Sequence, residues 1–442
     1  MTSVSIVVTE RRRDAQGATS ELSTRCVLEL SPTLLSFTQP QGERVWLDFA
    51  AHRHVVSDPA GGTCTHQSLF ASPYFRSIEG PNRAHIASVL EAGGADASMF
   101  HPVIVEHQLS MRDVRSSTKL RRAQNAGNLL SRLSSAFESK SAMSIEVATS
   151  ANTTSYRWRD APLCEVSLSG VPCSPAVLRA FVQYLRWAFG GHPLVLDDVL
   201  QNGTLPRSLT LFTLAIGEVY EVQLQIESVG HTAATAIEIP PEREAQDNTM
   251  ALLRERAETA LAARSNDQAA RLSAATEAVR SGDALQGVLD FFMLTLESVV
   301  AMPPALAEAL NACRDARVSA LLSAMSPQSG PEAEQAIVTF EALRHGPPPN
   351  DHPALLCLEA AILKNLGDVR SAESLYVTAI NANPLLTGAY HDLGDLALGK
   401  YDTGTAWRLW AIARKIAPEH RILGTVAEHE ARMLKQYPEY FQ

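Results

Sequence analysis

Apolar and polar positions largely alternate over short stretches of the first 230 residues. The stretches are 3–8 (SVSIVV), 25–30 (RCVLEL), 33–37 (TLLSF), 44–49 (RVWLDF), 53–57 (RHVVS) and 63–69 (TCTHQSL). Each is rich in β-favouring residues and bounded by Gly, Pro, Asp or Gln, the pattern of an antiparallel meander. Asp58-Pro-Ala-Gly-Gly62 predicts the turn between the last two, because proline presets φ and glycine supplies positive φ. A helix is expected over Phe75–Ala92, a strand over 102–109 and one helix within 112–140. A second strand group follows at 144–149, 155–158, 164–169, 208–216 and 218–228. Inside it, Val177, Leu178, Phe181, Val182, Leu185 and Ala188 form one apolar stripe of a helix over Ser174–Phe189. Ser174-Pro175 opens that helix and Gly190-Gly191 closes it.

Past Pro240-Pro241 the period changes. Ala, Leu, Glu and Arg recur at helical spacing to residue 442, predicting helices near 244–264, 267–280, 283–300, 304–325 and 332–344. The expected fold class is therefore an α+β N-terminal half, antiparallel sheets with helices, followed by an all-α helical-repeat domain. The expected domains are 1–240, with 110–145 as the place where it would split into two; 241–330, a helical segment that would hold degenerate repeats; and 331–442.

The last segment repeats itself. Ala372/Ala406, Tyr376/Trp410, Ala379/Ala413 and Pro384/Pro418 are each 34 residues apart, and Leu366-Gly367 and Leu393-Gly394 precede them. An upstream half-unit carries Ala336, Phe340, Leu343 and Pro348. Over about 330–436 the chain resembles the tetratricopeptide repeat family, whose helix pairs recur at this period with Leu-Gly, small and aromatic residues and a closing proline. The resemblance implies a capping helix over His420–Gln436 and a concave groove lined by the first helix of each pair. On that implication Lys364 and Asn365 of one unit and His391 and Asp395 of the next form a partner-binding groove for a protein or peptide segment. Cys357/Ala361 and His391/Asp395 stand where repeats that clamp a terminal carboxylate carry Lys and Asn, so the resemblance does not extend to that clamp.

Composition narrows the picture further. A hydrophobic fraction of 45% and a charged fraction of 19% belong to a folded globular chain. The net charge is −10, and residues 241–442 hold 18 Lys+Arg against 26 Asp+Glu, which argues against nucleic acid as partner. The basic stretch 112–140 lacks interleaved aromatics apart from Phe137 and is expected to be a solvated face. No run reaches the ~18–20 apolar residues of a spanning helix, so no membrane span is expected. The six cysteines are scattered without a C-x-x-C pair, and the first residues carry no secretory pattern. A cytoplasmic protein is the expectation.

Candidate chemistry is sparse. Gly394-Asp-Leu-Ala-Leu-Gly399-Lys400 approaches a phosphate-binding loop, but Tyr401 stands at the metal-binding hydroxyl position and the stretch falls between repeat helices. His52, His54, Cys64 and His66 would form a tetrahedral zinc set if the 58–62 turn paired residues whose numbers sum to 120, placing His54 opposite His66. Their spacing is looser than that of structural zinc sites, so no metal and no cofactor is expected. There is no nucleophile elbow, H-E-x-x-H or dinucleotide-binding glycine pattern. A non-enzymatic interaction scaffold or adaptor is the expected function; the alternative is an enzyme or small-ligand-binding protein whose site lies in the α+β half.

Overall fold

The computed structural model describes all residues except 1, 14–18, 40–41, 59, 61, 75–118, 123–143, 159–160, 215–218, 232–236, 244–248, 265–266 and 346–350. The expected helix over Phe75–Ala92 and strand over 102–109 lie outside the described residues. The chain divides into two compact units, Met1–Arg243 with Met433–Gln442, and Glu244–Arg432.

In the first unit, β1 (Thr2–Arg13), β2 (Thr19–Leu30), β3 (Leu34–Thr38), β4 (Arg44–Asp48), β5 (Arg53–Asp58) and β6 (Thr63–Ser68) form the expected meander. Further strands are β7 (Lys119–Arg122), β8 (Ser144–Thr149), β9 (Thr153–Trp158), β10 (Ala161–Ser167), β11 (Gly170–Pro172), β12 (Thr204–Pro206), β13 (Ser208–Leu214) and β14 (Val219–His231). Among the described residues, twelve strands make one sheet in the order β6-β5-β4-β3-β2-β1-β14-β13-β10-β9-β8-β7, and β11 pairs with β12. Only the β7–β8 pair is parallel among these ladders. β7 occupies 119–122 of the stretch 112–140, and the rest of that stretch, with the helix expected in it, lies outside the described residues.

Alternation sets the sheet's faces. Val4, Ile6 and Val8 of β1, Cys26, Leu28 and Leu30 of β2, and Val222, Leu224 and Ile226 of β14 are buried. The intervening positions carry an ionic lattice in which Arg11 bridges Glu21 and Glu221, and Arg25 meets Glu227. Helix α1 (Pro175–Ala188) forms where the apolar stripe predicts it, with the Ser174 hydroxyl accepting from the Val177 amide. Its Tyr184 meets Phe37 edge-on at 5.0 Å between ring centroids. A second helix, α2 (Pro193–Gln201), is capped by His192. The terminal residues join this unit: the Gln183 amide and the Arg186 guanidinium donate to the Glu439 carbonyl, and Phe441 packs on Phe70.

The second unit is helical: α3 (Thr249–Ala262), α4 (Gln268–Ser281), α5 (Ala284–Glu297), α6 (Pro304–Ala312), α7 (Ala316–Ala324), α8 (Gly330–His345), α9 (Pro353–Leu366), α10 (Val369–Ala382), α11 (Thr387–Gly399), α12 (Thr403–Ile416) and, up to Arg432, α13 (Gly424–Gln436). The single helix expected over 304–325 is two, because the Asp315 carboxylate caps the Arg317 amide and restarts the chain as α7. Helices α9 and α10 reverse through Gly367, at φ +84°, and Asp368 caps the second of them. Helices α11 and α12 reverse through Lys400 and Tyr401, and Asp402 supplies the cap. Glycine also sets how closely α4 and α5 approach, since a Cβ on Gly287 would stand 2.5 Å from the Ala275 carbonyl.

The helical-repeat-like part buries its matched positions. Ala372, Tyr376, Ala379, Ala406, Trp410 and Ala413 are all at most 1% exposed. A Cβ on Gly394 would collide with the Trp410 indole, whose N–H donates to the His391 carbonyl at 3.1 Å. The Leu393-Gly394 pair thus opens α11 to an aromatic side chain of α12. The residues that resemble a phosphate loop, Gly394 to Gly399, are helical in α11.

Candidate functional site

Four sequence-predicted residues lie on α9 and α11, and three of them meet. The Lys364 ammonium reaches the Asp392 Oδ1 at 2.7 Å and the Asp395 Oδ2 at 3.2 Å. His391 Nδ1 stands 3.7 Å from both of those oxygens. Asn365 is exposed on α9 and apart from the cluster, whereas His391 is buried at 4% exposure. The helical period explains the convergence: Asp392 and Asp395 follow His391 by one and four residues on α11, and Lys364 approaches from the neighbouring α9.

The surroundings fix these groups. The Tyr376 hydroxyl of α10 donates to the Asp392 Oδ2 at 2.7 Å. Burial and the adjacent Asp392 push the Tyr376 phenol far up, so it stays a donor. Burial alone would lower the Lys364 ammonium, but Asp392 and Asp395 outweigh it and hold its pKa above the ordinary lysine value. Burial would raise the Asp392 carboxyl, yet the adjacent His391 imidazole, the Lys364 ammonium and the Tyr376 hydroxyl hold it below the ordinary aspartate value. His391 Nε2 lies 3.0 Å from the Thr425 hydroxyl of α13. Among the described residues, His391, Asp392 and Asp395 form a set whose potential ligand atoms all lie within 4.8 Å of one another.

Asp392, the Tyr376 hydroxyl and Thr425 were not foreseen as members of the site. A signal for the first existed, because His391-Asp-Leu-Gly-Asp395 puts two carboxylates within about one helical turn of a histidine. Tyr376 was legible only as a core aromatic.

The histidine and cysteine set on β5 and β6 does not assemble. The hairpin pairs His54 with Gln67, Val55 with His66 and Asp58 with Thr63, so facing residue numbers sum to 121. Asp58 accepts from the Ala60 amide and Gly62 adopts φ +64°, closing a four-residue connection where a symmetric odd one was expected. Pro59 and Gly61 lie outside the described residues. One residue of register moves a side chain to the opposite sheet face, so His54 is separated from Cys64 and His66. Cys64 is buried beside Trp46 and Val55, His66 Nε2 lies 3.0 Å from the Pro240 carbonyl, and His52 sits in a left-handed turn against Phe70.

The first unit holds a cavity of about 490 Å³ lined by Thr2, Leu30, Ser31, Thr33, Ser174 and Val177, among others. Its polar atoms are hydroxyl and backbone groups. Elsewhere in that unit the buried Asp198 carboxylate of α2 accepts from the Tyr156 hydroxyl at 2.7 Å and pairs with Arg122.

No helix among the described residues is long and apolar enough to cross a membrane. No known protein family matches the chain. No curated relative matches it either. Among solved structures the chain has a likeness to lipovitellin, described for its lipid–protein interactions, at 11% sequence identity and a TM-score of 0.18. The likeness covers 99% of this chain, which spans about half (54%) of the length of that one. At that score it carries no weight for fold or ligand.

Proposed function

We propose that the protein is an interaction scaffold of the tetratricopeptide type, whose second unit binds a protein segment across α9 and α11. The observation that carries this reading is the periodic core: Ala372/Ala406, Tyr376/Trp410 and Ala379/Ala413, each 34 residues apart, are all buried, as the stacked helix pairs of such a repeat require. Lys364, Asn365, Asp395 and Leu398 retain exposure on those helices, while His391 lies behind them. Residues 241–442 carry 18 Lys+Arg against 26 Asp+Glu, so charge complementarity favours a basic segment as partner.

The test is affinity capture from the native cell with the full chain and with Asn365→Arg/Leu398→Arg. Both positions have exposure, so melting temperature should stay nearly unchanged while capture drops. Capture that survives the double change but disappears when residues 1–240 are removed would make the helical unit purely structural.

The cavity in the first unit favours a second reading, a small-ligand site in the sheet-rich unit. Among the described residues that line it there is no Asp, Glu, His, Lys or Cys, so binding is better supported there than catalysis. Thr33→Trp would fill the cavity and abolish uptake of such a ligand without affecting partner capture.

A further inference from the structure

His391 holds a buried nitrogen with no hydrogen-bond partner, and the hydrogen bonds around it say which form that nitrogen takes. The Thr425 hydroxyl donates to the Ile422 carbonyl at 3.1 Å. With its proton committed there, it can only accept at the 3.0 Å contact, so His391 Nε2 carries the ring's proton. In the neutral imidazole His391 Nδ1 then presents a lone pair. It is buried, makes no hydrogen bond, and points between two carboxylate oxygens that each stand 3.7 Å away. That separation is too long for a hydrogen bond. A lone pair facing two carboxylates is unfavourable unless a positive charge sits among the three, as a proton on Nδ1 or as a metal ion that replaces it.

Lys364 partly answers that demand. Its ammonium pairs with both carboxylates, yet one positive charge against two negative ones leaves the cluster net negative, and no hydrogen bond from it reaches Nδ1. Three ligand atoms around a divalent transition ion at ~2.0–2.2 Å would lie about 3.3–3.6 Å apart at tetrahedral angles. The two histidine-to-carboxylate separations, 3.7 Å each, need to close by only a few tenths of an ångström, and the two carboxylate oxygens lie within 4.8 Å of each other. The outer groups are also in place: Thr425 fixes the imidazole tautomer, and Tyr376 holds the second oxygen of Asp392, as ligand-supporting groups do around a metal.

We infer that His391 Nδ1, Asp392 Oδ1 and Asp395 Oδ2 form a binding site for a divalent transition ion of the zinc class, with the Lys364 ammonium as the cation it displaces. One nitrogen and two carboxylate oxygens suit such an ion, and a water completes the coordination. The site lies on α11, outside the β5–β6 histidines, and binding there is independent of any protein partner.

The experiment is a calorimetric titration of the metal-stripped full chain with zinc alone, paired with elemental analysis after dialysis. About one ion per chain is expected. Asp395→Asn, at a half-exposed position, should weaken binding at least tenfold with the melting temperature of the stripped protein nearly unchanged. Lys364→Met removes the competing ammonium and should tighten binding at least tenfold, which a merely structural lysine would not do. Absence of a bound ion in both the unaltered protein and Lys364→Met would overturn the assignment. So would zinc binding that is indifferent to Asp395→Asn and Lys364→Met, because the ion would then sit elsewhere.

Discussion

Trp410 shows how one residue carries both a sequence signal and an energetic role. Its indole is 1% exposed, lies across Gly394, stacks on His429 at 5.9 Å and donates to the His391 carbonyl. Trp410→Ala should therefore cost about 3–5 kcal/mol in denaturant unfolding, the range for a buried aromatic; a change under ~0.5 kcal/mol, typical of surface sites, would contradict it. The 34-residue offset makes Trp410 and Tyr376 readable as core. It does not show that the Tyr376 hydroxyl ends on Asp392, because that contact joins two repeats whose docking no local pattern encodes. Asp315 gives a residue-scale pH dependence. Its hydrogen bond from Arg317 holds the carboxyl below the ordinary aspartate value, so its contribution is present above the unfolded-state pKa and is lost as the pH falls through the lowered folded value. Asp315→Ala should cost about 1 kcal/mol at neutral pH, the usual worth of a helix cap. That difference should shrink in urea titrations repeated at strongly acidic pH.

Elements were most legible where period and punctuation agree. The Ser174-Pro175 start and Gly190-Gly191 end frame α1, and the short alternating stretches fall on β1 to β6. Punctuation by a single capping side chain was not legible: Asp315 restarts the helix that the apolar period alone carries through 304–325. Register was lost in the same way at the β5–β6 hairpin, because Asp58 and Gly62 settle the loop length and no residue pattern on the strands opposes a slip of one. Turn glycines give an element-scale test. Gly367 closes α9 at φ +84°, a backbone region that costs a side chain about 1–2 kcal/mol. Gly367→Ala should lower stability by that amount, whereas Gly399→Ala, where open space surrounds the added carbon, should be neutral or mildly stabilising. Equal effects of the two in thermal melts would mean that the turn between α9 and α10 is not set by backbone conformation.

At the scale of the whole molecule, the change of period at Pro240-Pro241 foretells a sheet-rich region followed by a helical one. What it does not foretell is which strands meet. Strands β1 and β14 pair across more than two hundred residues, with Thr2 opposite His231 and Arg13 opposite Val219; long-range pairing of this kind leaves no trace in local periodicity. Nor does sequence order show that Met433–Gln442 belongs to the first unit, where Phe441 is 6% exposed. Phe441→Ala should destabilise that unit by about 3–5 kcal/mol, seen as earlier loss of amide protection in its strands. The claim that the second unit binds a protein segment across α9 and α11 is tested most directly by a photo-cross-linking residue placed at Asn365 and, separately, at Thr378, which is exposed on α10. The account predicts that a partner carrying a basic segment cross-links from Asn365 and not from Thr378. Equal cross-linking from both positions, or none from Asn365 while the same partner is captured, would contradict it.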